Sequence, residues 1–134
     1  MSFLRALGLS AILFLISCEF TAGELRRAAP PKAIFGGTLI DGTGRPPILD
    51  ALVLVELDKI VIATSSTGLK IPENATRMNA TGLFIVPTQL GARLEYGATA
   101  DLFLLQGNPL ENPLLLANPM RVMRSGEWMN ASKR

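Results

Sequence analysis

The chain contains no histidine, and its 134 residues include a single cysteine, Cys18. Without imidazole there is no neutral nitrogen donor for a transition metal and no histidine to serve as the base of a serine or cysteine nucleophile. One thiol excludes an internal disulfide framework. Charge of one sign is also missing: 13 Lys+Arg stand against 11 Asp+Glu, for a net +2. The basic residues are scattered, with no stripe of Lys/Arg and interleaved aromatics, so a nucleic-acid-binding surface is not expected. No apolar run reaches the roughly 20 residues that a bilayer-spanning helix requires.

What is present begins with an export pattern. Arg5 precedes an apolar or small run over residues 6–16, followed by Ser17 and Cys18. That length suits the h-region of a signal peptide, so residues 1–17 are read as a removable signal. Leu15-Ile16-Ser17-Cys18 resembles the bacterial lipobox, which implies that Cys18 is acylated and opens the mature chain. The alternative is a conventional cut near Thr21-Ala22-Gly23 that discards Cys18. Acylation would give a cell-envelope lipoprotein, with Glu19 after the cysteine implying the outer membrane; otherwise the product is periplasmic or secreted. Acyl chains hold a protein on a membrane because each buried methylene contributes about 0.8 kcal/mol. Residues 18–32, alanine-rich with Arg26-Arg27 and Pro30-Pro31, read as a tether.

From Ala33 to residue 131 the pattern changes to short β-rich runs divided by turn residues. Residues 33–40 form the first run, stopped by Asp41-Gly42-Thr43-Gly44 and Pro46-Pro47. Residues 51–57 and 60–64 flank Asp58-Lys59 and predict a hairpin with a two-residue loop. Residues 77–79, 83–86 and 101–105 continue the style. Residues 110–116 predict a turn or short helix that Pro113 limits, and residues 121–129 a terminal hairpin around Ser125-Gly126. Several short strands without a long amphipathic helix predict a mostly β, sandwich-like domain.

Two ordered blocks carry a family resemblance. Gly36-Gly37-Thr38-Leu39-Ile40-Asp41-Gly42-Thr43-Gly44, continuing to Ala80-Thr81-Gly82-Leu83-Phe84-Ile85-Val86-Pro87, resembles the N-terminal portion of metal-dependent amidohydrolases. Gly97-Ala98-Thr99-Ala100-Asp101-Leu102, through Gly107-Asn108-Pro109-Leu110 to Arg121-Val122-Met123-Arg124-Ser125-Gly126-Glu127, resembles their C-terminal portion. In that family the two flanks build a small composite β domain, and a TIM-like barrel of roughly 250 residues lies between them. The resemblance therefore implies a composite β domain without its TIM barrel, with a seam near residues 88–90. It also implies that the family's zinc or similar divalent ion, held by a His-x-His pair just past the position of Pro87, has no ligands here. Thr64 and Asn79 stand where relatives often carry glycine and aspartate.

The remaining candidates favour structural roles. Asp41, Asp50, Asp58 and Asp101 lack EF-hand spacing and read as turn, cap or surface carboxylates, Asp101 as an acceptor for loop N–H groups. Ser65, Ser66 and Ser125 have no histidine base, and Lys59 lies in a hairpin turn. Gly42 and Gly44 precede Pro46-Pro47 rather than a helix, unlike a phosphate loop. Asn74, Asn79 and Asn130 open glycosylation sequons that the bacterial-style signal makes incidental. Trp128 is expected to close the terminal hairpin against the sheet, rather than to form a recognition patch with Tyr96 and Met129. No catalytic, cofactor-binding or metal-binding residue is expected in this chain. The function expected is that of a truncated amidohydrolase-family protein, whose family hydrolyses carbon–nitrogen bonds other than peptide bonds, inactive by itself. The alternatives are an exported binding or assembly module, homodimeric through an exposed sheet face, or one piece of a split hydrolase whose barrel is a separate chain.

Overall fold

In the computed structural model, residues 29–89 and 91–130 are described. The export signal, Cys18, most of the tether and Leu90 at the seam lie outside them. The strands are β1 Lys32–Phe35, β2 Thr38–Leu39, β3 Ala51–Glu56, β4 Lys59–Ser65, β5 Thr76–Asn79, β6 Phe84–Pro87, β7 Leu102–Leu105, β8 Arg121–Arg124 and β9 Glu127–Trp128. One 3-10 helix, Pro113–Ala117, joins β7 to β8. There is no α-helix and no barrel among the described residues, which is the mostly β class the sequence pattern predicts.

Two mixed sheets form, ordered β4-β3-β1-β5 and β2-β6-β7-β8-β9. β1 runs parallel to β5 and β2 parallel to β6; the other pairs are antiparallel. The sheets share one core. Ile34, Val53, Val55 and Ile60 of the first meet Leu39, Ile85, Leu102, Leu104 and Met123 of the second, joined by Leu94 from the stretch after the seam. All are sealed from solvent, and burying such side chains contributes about 1.5–3 kcal/mol each.

Three local expectations are corrected. Residues 33–40 do not make one strand: Gly36-Gly37 splits them into β1 and β2, which belong to different sheets. Gly36 has φ +84, and a Cβ on Gly37 would lie 2.9 Å from the Ala80 carbonyl oxygen and 3.0 Å from that of Leu83. Only a side-chain-free pair lets the chain step between layers this close to the neighbouring backbone. The β3–β4 loop is Leu57-Asp58, not Asp58-Lys59, because Glu56 pairs with Lys59. The register shifts between Leu54 and Val55, and the turn places Leu57 at φ 56. Finally, Pro113 opens the 3-10 helix instead of limiting it: Asn112 caps the helix by accepting from the Leu114 N–H at 3.3 Å, and a proline suits the first helical position.

Candidate functional site

The loop after β2 is held by a connected set of side-chain hydrogen bonds among Asp41, Thr43 and Arg45. Asp41 is 3% exposed. Its Oδ1 accepts from the Thr43 N–H at 3.0 Å and the Thr43 hydroxyl at 2.6 Å, and its Oδ2 accepts from the Arg45 guanidinium. Burial pushes this carboxyl upward; the Thr43 hydrogen bonds and the Arg45 contact and charge outweigh it and hold the group below the ordinary aspartate value. The Asp41 carbonyl also accepts from the Leu94 N–H at 2.8 Å. Gly42, at φ +82, sits so close to the next segment that a Cβ would fall 2.2 Å from the Ala92 carbonyl oxygen. The N-terminal block is thus fastened directly to residues just past the seam.

A second fastening surrounds residues 97–101. The Ile60 N–H donates to the Ala98 carbonyl, the Ala100 N–H to that of Asp58, and the Gly126 N–H to that of Ala100. Asp101 Oδ1 accepts from the Ser125 N–H at 2.7 Å, which is the structural role expected of it. Lys59 Nζ donates to the Thr99 hydroxyl at 3.1 Å. At the far edge Lys32 Nζ pairs with Glu127 Oε1 at 3.1 Å, bringing β1 to β9.

The four aspartates occupy separate turns. Asp50 accepts from the Ser66 hydroxyl at 3.0 Å, Asp58 lies beside Lys59, and Asp101 holds Ser125. Asp41 is the buried one of the four, a turn carboxylate whose hydrogen bonds satisfy it within the fold. Among the described residues no three or more acidic or cysteine side chains gather where a metal could be held. The donor set does not fit a zinc-type centre: among the described residues it offers carboxylates in separate turns, and the sequence has no imidazole.

Of the candidate nucleophiles, the Ser66 hydroxyl donates to the exposed Asp50 carboxylate, with no imidazole in the sequence to serve as base. The Ser65 hydroxyl bonds the Thr67 hydroxyl at 3.0 Å, and Lys59 is solvent-exposed. Gly44, at φ +86, belongs to an open turn with no helix after it. Asn79 accepts from both the N–H and the hydroxyl of Thr81, so the sequon threonine is engaged in an Asx turn. Trp128 packs against the shared core, with the Arg121 guanidinium carbon 4.7 Å from its ring centroid, while Tyr96 and Met129 are exposed.

An open recess borders the seam. It holds about 560 Å³ and is lined by Ile40, Val86 and Phe103, by Pro87 to Gln89 with Gly91 and Ala92, and by Pro109, Leu110 and Leu116. Val86 lies opposite Phe103, and Phe103 opposite Val122, on the face of the second sheet that points away from the shared core. No lining side chain is ionisable, so the recess can accept apolar surface and offers no acid or base. This recess was not anticipated from the sequence; the available signal was the apolar character of both alternating sets in residues 84–86 and 102–105, which marks a strand with two covered faces.

No protein-family model matches the sequence, and no curated protein matches it. Solved structures similar to part of it are enzymes of the amidohydrolase family. Molinate hydrolase is 34% identical over 44% of this chain and 13% of its own, with a TM-score of 0.41. Guanine deaminase from E. coli is 25% identical over 44% of this chain and 17% of its own, with a TM-score of 0.39. N-acyl-D-glutamate deacylase from Bordetella bronchiseptica, solved with zinc and a phosphonate inhibitor, is 26% identical over 45% of this chain and 12% of its own, with a TM-score of 0.35. The chain thus spans less than a fifth of the length of each of these structures. At such TM-scores the likeness fixes neither an activity nor a substrate.

Proposed function

We propose that this chain is the composite β domain of an amidohydrolase-type protein, closed on itself without a barrel, and that alone it does not hydrolyse carbon–nitrogen bonds. The observation that carries this reading is the direct fastening of the two resembling blocks: β6 pairs with β7, the Ile60 N–H donates to the Ala98 carbonyl, and the Ala100 N–H donates to that of Asp58. Hydrolysis in that family requires a divalent ion that polarises a carbonyl and acidifies water. Here the chain supplies no histidine, and the recess at the seam has no ionisable lining. Purified mature protein, supplied with zinc or manganese, is expected to leave amides and cyclic ureides intact. Turnover that co-purifies with the chain and disappears on chelation would overturn the reading.

The same reading places the domain at a membrane through acylated Cys18. Mass spectrometry of the processed protein is expected to show a lipid-modified N-terminal cysteine, and Cys18→Ala to release the protein from the membrane fraction. An unmodified mature chain beginning after Cys18 would contradict the anchor and leave the non-catalytic assignment standing.

A second reading, an assembly module, is favoured by the apolar outward face of the second sheet. Leu110, Leu114, Leu116 and Met120 are all large and exposed within one short stretch beside it. A homodimer, or a complex with a separately encoded barrel chain, would cover that face. Light scattering coupled to size exclusion distinguishes these outcomes from a monomer.

A further inference from the structure

We draw no further inference here: the strongest candidate, the apolar recess on the outer face of the five-stranded sheet between the seam and the 3-10 helix, belongs to the site already described, and nothing in the structure shows what covers it.

Discussion

The two sheets treat their outer faces differently. On the four-stranded sheet, Ala33, Leu52 and Leu54 point away from the shared core and are closed over by a second cluster that includes Ile71 and Ala75 from the loop before β5. On the five-stranded sheet, Val86 and Phe103 also point outward, yet they line an open recess, and the neighbouring Leu110 and Leu116 remain 67% and 40% exposed. Among the described residues, one face is completed by its own chain, whereas the other is apolar without being closed. The difference places the self-covered apolar surface on the first sheet and the open apolar surface on the second.

Substitutions can break this comparison. The largest effect is expected at Gly126, where the two hairpin turns meet and a Cβ would fall 1.9 Å from the Leu57 carbonyl oxygen at a φ of +79. Gly126→Ala should cost about 3 kcal/mol or more, because backbone cannot yield as a flexible side chain does. Gly44→Ala, at φ +86 with no atom within 4 Å, should cost only about 1 kcal/mol. Equal losses in denaturant melts would show that the turns are not packed as described.

Next comes the contrast between faces. Leu52→Ala opens a cavity in the closed cluster and should cost about 2–5 kcal/mol. Leu110→Ala, on the open recess, should change the stability of a monomer by no more than about 0.5 kcal/mol. A large loss at Leu110 that depends on protein concentration would reveal a covered face and support assembly.

Asp41 sharpens the picture through pH. Its folded-state pKa lies below the ordinary aspartate value, so its contribution is fully present above that ordinary value and is lost as pH falls through the folded value. Asp41→Asn should destabilise by about 1–3 kcal/mol at neutral pH and remove that part of the acid-induced loss. A smaller gain is expected at Leu57, a non-glycine residue at φ 56 and 65% exposed. Leu57→Asn should stabilise by up to about 1 kcal/mol, since asparagine tolerates the left-handed region and little apolar burial is lost. Thermal unfolding checks both.

Strand existence was largely legible because the apolar runs are short and bounded by glycine, proline and Asp-Gly steps, as at Ser125-Gly126 and Thr81-Gly82. The sheet assignment was less so. A glycine pair inside an apolar run reads locally as a strand with a weak centre, and only the carbonyls of Ala80 and Leu83, more than 40 residues away, reveal it as a crossing between layers. Leu57 at a turn was hidden for a related reason, since its left-handed backbone is fixed by register with β4 rather than by its own propensity. The absence of histidine was visible from composition alone. The recess was not, because it is assembled from outward positions on separate strands and from the stretch leading into the 3-10 helix.

The most direct test of the central claim is a zinc titration of the folded, processed protein by calorimetry, with metal content measured after dialysis. The account predicts no stoichiometric, tightly held ion. One zinc per chain, retained through dialysis, removed by a chelator and accompanied by amide hydrolysis, would contradict it.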